Sequence, residues 1–550
     1  MVNCWHCPIL QVFPSFQSSA SFVHSSPTSK DLLSQPSMDD QLYTSHRVTP
    51  RLAWATAITC LSTLQFGFHL AVLNAPQDIF SCKKHIPGPL PSYEDTLWNT
   101  YGRAQCIPMK LNNIALLNTL FTVGGLLSSL FAGSHTVSAM FGRKKLQKIC
   151  ALCYLLGSLL LTGANSLPAM YMGRLFGGIG AGASMVVAPI LVSEITPFNH
   201  RGLMGSLLQF GVAMGILAAQ LIAFPWSNDQ QWRYLFLFGA FVALFQFLLL
   251  FTTVESPKWL ILHRGDVSSA TEILHTLRSD ILAMRYEINH WRRLSNNTST
   301  IPADKLLSER SSLLESGPQD DFHPLSTSMS RRGSIDPSTL SIVEYLVSPR
   351  YRKEWIAIIV IMTAQQLCGM NAITFYGVSV LSNIVPLDTN VLYLTCLLAL
   401  CNVILALTIS PFIDRWGRKP LLLASVTMMG TCSVFISLGL LHNRDYMAAI
   451  ACFGFIVGFS IGLALIPFLM VSEFASHETI GIAQSFGTMW NWIANIIIAY
   501  LFPLLKDIVG NSIFFVFFGI SVFYFVAIWA RVPETKGKLD YRDIWDAFYY

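Results

Sequence analysis

About twelve runs of mainly apolar residues, each roughly twenty long, follow one another along this chain. Roughly twenty such residues are what one helix needs to cross a bilayer. The runs lie near 52–74, 111–134, 146–164, 168–193, 202–224 and 232–253, then near 354–378, 390–413, 419–441, 446–472, 480–502 and 511–530. Transmembrane strands are ~10 residues long and alternate in polarity, which these runs do not. Only 12% of the 550 residues are charged and 53% are hydrophobic. A soluble domain carries ~25% charged residues, so this chain cannot cover a soluble surface of its size. Its apolar content also excludes a wholly disordered chain. The sequence predicts an all-α polytopic membrane protein with twelve transmembrane helices.

Lys and Arg in the loops set the orientation. Arg47, Arg51, Arg143, Lys144, Lys145, Lys148, Arg201, Arg415, Arg418, Lys419, Arg531, Lys536 and Lys538 fall on one side, with the whole link between the sixth and seventh spans. That side is expected to be cytoplasmic and to hold both termini. The expected domains are a disordered tail over 1–50, a six-helix half over 51–260, a central cytoplasmic loop over 261–350, a second six-helix half over 351–531 and a short tail over 532–550. The first 46 residues lack the basic start and short apolar core of a secretory signal, and Met38 is a second candidate start. A net charge of +5 gives no reason to expect a nucleic-acid partner.

The two sets of spans echo each other. FGRKK (141–145) recurs as WGRKP (416–420), ILVSEITP (190–197) as FLMVSEFA (468–475), and VESPK (254–258) as VPETK (532–536). Gly142 and Gly417 are 275 apart; Glu194 and Glu473, and Glu255 and Glu534, are each 279 apart. Chance likeness among apolar runs would not keep charged residues at nearly one offset and in one order. The chain is two parallel repeats of six helices, an architecture that places a site between the halves near the midplane in alternating-access transporters.

These motifs resemble the sugar porters of the major facilitator superfamily, and are similar to the facilitative glucose transporters. The resemblance covers roughly 50–260 and 345–540 and rests on LQFGFHLAVLNAPQ (64–77), GRLFGGIGAG (173–182), PILVSEITPFNHRG (189–202), VESPKWL (254–260), QQLCGMNAITFYG (365–377), DRWGRKPLLL (414–423) and VPETKGK (532–538). NAPQ followed by a Cys, and AQSFGTMWNW (483–492), look most like fungal vacuolar-membrane members.

A sugar site needs amides, which both donate and accept, and aromatic faces for C–H surfaces. The resemblance implies sugar contact by Gln209, Gln365, Gln366, Asn371, Asn402 and Asn491, with Trp492, Phe468, Phe375 and Tyr376 closing over it. The alternative is that these amides are hydrogen bonds between helices. Gly369, between Gln366 and Asn371, invites a helix break. Two departures put glucose preference in question. Ser460 and Gly462-Leu463-Ala464-Leu465 stand where the family often has an acidic residue and Gly-Pro repeats, and Met362-Thr363-Ala364 replaces Gln-Leu-Ser on the seventh span.

The resemblance further implies a cytoplasmic gate in which Arg143, Glu194, Arg201, Glu255, Arg418, Glu473 and Glu534 form salt bridges between the halves. Ile480 stands where Glu473 would gain an Arg partner, and Ser138-Ala139-Met140 lacks the usual charged pair, so a weakened outward-facing state is expected. His69 lies where proton-coupled members carry Asp, with Arg174 implied nearby. Burial and a neighbouring cation both disfavour a charged imidazole, which leaves a neutral hydrogen-bonded His in a facilitative carrier or a proton site in a symporter. Cys82 and Cys106 share a non-cytoplasmic loop and are a candidate disulfide. Residues 265–294 carry a helical stripe of Ile273, Leu274, Leu277, Ile281 and Met284. Residues 295–340 read as disordered; there Arg331-Arg332-Gly333-Ser334 suits a basophilic kinase, and Asn296 and Asn297 should stay unglycosylated. Absence of a GxxxxGKS loop or an HExxH motif argues against an enzyme, and nothing calls for a cofactor or metal. The functions in view are facilitative transport of a hexose or related polyol, proton-coupled sugar symport, and a sugar sensor or trafficking factor on a transporter scaffold. The partners are a small sugar and the bilayer.

Overall fold

The computed structural model describes residues 48–546 apart from 134, 198–199, 282–283, 286, 290, 293–341, 382–387, 410–414, 476–478, 537 and 539–540. Apart from 48–50, where the first helix begins at Pro50, the expected disordered segments, the Ser334 motif and the Asn296 and Asn297 sequons lie outside these residues.

The described chain is helical. Its first half holds α1 (Pro50–Ala71), α2 (Leu111–Gly133), α3 (His135–Thr162, broken at Gly142), α4 (Leu167–Ile195), α5 (Arg201–Trp226) and α6 (Trp232–Leu249). A link follows with α7 (Val267–Leu277) and α8 (Ile342–Val347). The second half holds α9 (Arg352–Leu367) and α10 (Met370–Leu381), broken at Gly369, then α11 (Asp388–Thr408) and α12 (Arg418–Leu441). It continues with α13 (Asp445–Ile461) and α14 (Ile466–Phe474), broken at 462–465, then α15 (Ile480–Val509), α16 (Ile513–Arg531) and the short α17 (Tyr541–Asp546).

Ten stretches among the described residues are helical, long and apolar enough to span a bilayer. One of them, Ile480–Arg531, contains both α15 and α16. Adding α1 gives the twelve expected segments. Helix α1 is less apolar because Thr56, Thr59, Ser62, Thr63, Gln65 and His69 are buried along it. It begins on Pro50, with the Thr49 hydroxyl accepting from Leu52 N, a start that suits proline.

The repeat is visible in the packing. In the first half α1 packs on α5, α2 and α3 on α4, and α3 on α6. In the second, α9 packs on α15, α11 and α12 on α13, and α12 on α16. The halves meet through α5 against α11 and α15 against α2, contacts that exchange when the halves are interchanged.

The link departs from the expected continuous stripe. Helix α7 buries Leu274 and Leu277 and ends before Arg278, and Met284 is buried, but Ile281 is 55% exposed. The break takes Ile281 out of register. Arg278 causes it to hold: its guanidinium donates to the Ile195 carbonyl at 2.6 Å and pairs with Glu287 at 3.0 Å. That ties the link to the end of α4.

Candidate functional site

A central cavity of about 690 Å³ of empty space, part of it open to solvent, is lined by residues of both halves. Phe66 of α1 and Gln209 of α5 come from the first half; Gln365 and Gln366 of α9, Asn371 of α10, Asn402 of α11, Phe468 of α14, and Asn491 and Trp492 of α15 come from the second. All six sequence-selected amides therefore meet at one cavity. Phe375 and Tyr376 do not line it. The Tyr376 hydroxyl donates to the Ala499 carbonyl at 2.8 Å and its ring stacks on Phe502. Both side chains pack between helices instead, because the turn of α10 that places Asn371 and Thr374 on the cavity directs them elsewhere.

Four of the amides form a directed chain. Asn371 Nδ2 donates to Gln366 Oε1 at 2.5 Å, and Gln366 Nε2 donates to Asn491 Oδ1 at 2.9 Å. Asn491 Nδ2 donates to Gln365 Oε1 at 2.6 Å and to the Met362 carbonyl at 3.0 Å. Gln365 Nε2 ends the chain on the carbonyls of Leu463 and Ala464, at 2.7 and 3.2 Å. The amides are thus both cavity lining and interhelical hydrogen bonds. Such mutual bonding fixes which edge each presents, since amide donors and acceptors sit on opposite sides.

Trp492 forms the aromatic wall. It is 3% exposed and meets Phe66 edge-on at 5.9 Å and Phe121 at 6.4 Å. A Cβ on Gly125 of α2 would lie 2.6 Å from its ring, so Gly125 lets the indole reach across the halves. Asn495 escaped the sequence selection. It lines the cavity one helical turn after Asn491, and its Oδ1 is buried without a partner. The four-residue spacing was the available signal.

His69 is 2% exposed and does not line the cavity. Its Nε2 lies 3.3 Å from Ser158 Oγ, its ring stacks on Tyr154 at 5.0 Å, and its Nδ1 has no partner. Arg174 comes close, as expected, but donates to the His69 backbone carbonyl at 2.7 Å and lies over the Phe121 ring at 4.3 Å.

At the basic end the three repeated motifs become one arrangement used twice. Gly142 has φ +72° and Gly417 φ +93°, values L side chains rarely adopt. Each turns the chain so that the next backbone N–H groups point at a carboxylate. Arg143 N donates to Glu255 at 2.9 Å and Lys144 N at 3.1 Å. Arg418 N and Lys419 N both donate to Glu534 at 3.0 Å. A helix N-terminus is a natural anion site. Burial pushes the Glu255 carboxyl up, opposed by the N–H groups of Ser256, Lys144 and Arg143. Arg143 grips Glu194 in two-point fashion at 2.8 and 3.0 Å, and Arg418 reaches Glu473 at 3.1 Å. The sequence predicts pairs between halves; these pairs each lie within one half. Arg201 Nε donates to the Thr196 carbonyl at 3.4 Å. At the opposite end Cys82 and Cys106 are disulfide-bonded, 24 residues apart.

Comparison with known proteins adds four likenesses. A family model described as "Sugar (and other) transporter" matches residues 55–540. A probable metabolite transport protein of Saccharomyces cerevisiae is 34% identical over 91% of this chain and 96% of its own. Vacuolar protein sorting-associated protein 73 of the same yeast is 31% identical over 92% and 98%. The fold is that of the xylose transporter XylE from E. coli in a partially occluded, inward-open conformation, with TM-score 0.66 and 18% identity over 89% of this chain and all of that one.

Proposed function

The chain belongs to the sugar transporter family, membrane carriers and not enzymes, and from that membership we propose that it moves a hexose or related polyol by facilitative uniport. The observation that carries this reading is the convergence of amides from both halves on one cavity walled by Trp492 and Phe66. A neutral polyol offers hydroxyls to such amides and C–H faces to such rings, and a site between two repeats can open to either side in turn. The basic end faces the cytoplasm, with both termini, as the loop charges support; the membrane is the vacuolar one or the plasma membrane, and the yeast relative named for vacuolar sorting favours the first.

Two other readings each have an observation behind them. Proton symport is favoured by the buried, unpartnered Nδ1 of His69. Arg174 weighs against it, as a cation beside a group that would take on a second positive charge. A trafficking role is favoured by the sorting name of the relative. A basophilic kinase acting on Ser334 would add nearly two negative charges beside Arg331 and Arg332. Uptake of a panel of hexoses and polyols by purified protein in liposomes, with and without a pH difference, separates the readings. Equilibration of one sugar regardless of pH supports uniport, pH-driven accumulation abolished by His69→Asn supports symport, and no uptake favours the trafficking role.

A further inference from the structure

Helices α1 and α3 and the end of α6 meet at the basic end of the first half, where Ile58, Ala151 and Leu250 pack together. Arg51 stands seven residues before Ile58, and Lys144 seven before Ala151, a distance of about 10 Å along a helix. Both cations therefore lie two turns nearer the end of the bundle than this apolar junction, on the same helix faces. Lys148 comes one turn after Lys144. Its ammonium lies 3.6 Å from the centre of the Phe251 ring, and Phe251 is 58% exposed. Trp54, 45% exposed, joins α1 to the same segment by donating to the Thr252 hydroxyl at 3.0 Å. Arg51 and Lys148 both repel the Lys144 ammonium, so the three cations form one cluster. Glu255 faces Lys144 as well, but backbone N–H groups of Arg143, Lys144 and Ser256 already hold its carboxylate. Among the described residues no carboxylate pairs with Arg51 or Lys148.

The second half provides an internal comparison. The offset between Gly142 and Gly417 carries Lys144 onto Lys419 and Lys148 onto Leu423. Lys419 donates to the Trp529 carbonyl at 2.9 Å, as Lys144 donates to those of Phe251 and Thr253 at 3.2 and 2.6 Å. Each half thus uses one lysine to tether two helix ends, and the second half does so with a leucine in place of the next cation. Lys148 is surplus to that task. We propose that the groove of α1, α3 and α6 binds an anionic glycerophospholipid, with its phosphate between Arg51 and Lys148 and its chains against the exposed Phe251 and Leu248. Unpaired cations above apolar surface at the edge of a bilayer match such a lipid in charge and in depth. An ammonium has three N–H donors, so Lys144 keeps one for the same phosphate after serving its two carbonyls. Every residue of the groove belongs to one half, so the site stays assembled while the halves move against each other. Binding there requires no sugar.

Native mass spectrometry of the full chain purified in detergent tests this, with phosphatidylserine and phosphatidylcholine of identical acyl chains as probes. The first phosphatidylserine should bind more tightly than the first phosphatidylcholine. Arg51→Gln and Lys148→Gln should each weaken phosphatidylserine about fivefold, the worth of one cation beside an anionic lipid surface, and leave phosphatidylcholine unchanged. Neither side chain is buried, so both variants should keep the wild-type unfolding midpoint. Lys148→Arg, which retains the charge, should match wild type. Arg415→Gln removes an exposed cation from the second half at the same end and should have no effect. Glycerophosphoserine, the headgroup without chains, should fail to displace the lipid at equal concentration. Equal affinity for the two lipids overturns the site, as does a loss in Arg415→Gln as large as in Lys148→Gln. A fall in phosphatidylcholine binding of the same size, or displacement by glycerophosphoserine, overturns it too. Failure of the transport reading would appear separately, as absence of uptake by the wild-type carrier.

Discussion

The Glu255 carboxylate occupies the space that a side chain on Gly142 would need: a Cβ there would lie 2.7 Å from Glu255 Oε2. The same holds for Gly417 and Glu534, at 2.9 Å. The two halves therefore share one device, a positive-φ glycine that starts a helical run on a half-buried carboxylate. Gly142→Ala and Gly417→Ala should each lower stability. Positive φ with extended ψ, a region essentially open to glycine alone, costs another residue about 1–3 kcal/mol, and displacement of the carboxylate adds to it. Thermal unfolding in detergent checks this, and Gly205→Ala is the control, since nothing lies within 4 Å of its Cβ position.

Much of this was legible in the sequence. Apolar run lengths gave the spans, because a helix in lipid has to satisfy its own backbone. Charged motifs at a fixed offset gave the repeat, and the six amides marked the cavity. The rest depended on geometry that spacing does not encode. Phe375 and Tyr376 sit one and two residues after Thr374, which lines the cavity, yet they face away from it. Which carboxylate Arg143 and Arg418 reach within their own halves, Glu194 and Glu473, a motif cannot name.

The amide chain predicts the effect of cutting its middle. Asn491→Ala leaves Gln365 Oε1 and Gln366 Nε2 without the partners they have here. Each lost partner costs roughly 1–3 kcal/mol. Half-saturation for transport should rise by about tenfold or more, with the amount of folded protein unchanged by size-exclusion chromatography.

The Cys82–Cys106 bond closes a loop spanning 24 residues. In the chain-entropy account such a bond is worth roughly 3 kcal/mol. Cys82→Ser should lower the unfolding midpoint, and reductant should lower it in wild type but not in the variant. Mass spectrometry after alkylation without reduction should find neither cysteine labelled.

Arg278 holds the link against α4 through the Ile195 carbonyl and Glu287. Arg278→Ala removes a side chain that is 2% exposed and leaves Glu287 unpaired. The link should open locally, at a free energy below global unfolding. Limited proteolysis should cut within 267–292 several times faster than in wild type, while the membrane helices stay intact.

The central claim is facilitative movement of a sugar through the amide-lined cavity. The direct measurement is uptake of labelled sugar into proteoliposomes holding wild type or Asn491→Ala, at equal pH and under an imposed pH difference. The account predicts that at least one hexose or polyol equilibrates across the wild-type membrane, that the pH difference does not drive it above equilibrium, and that Asn491→Ala slows its entry at low concentration. Accumulation against a sugar gradient driven by pH, or equilibration that Asn491→Ala leaves untouched, would contradict it.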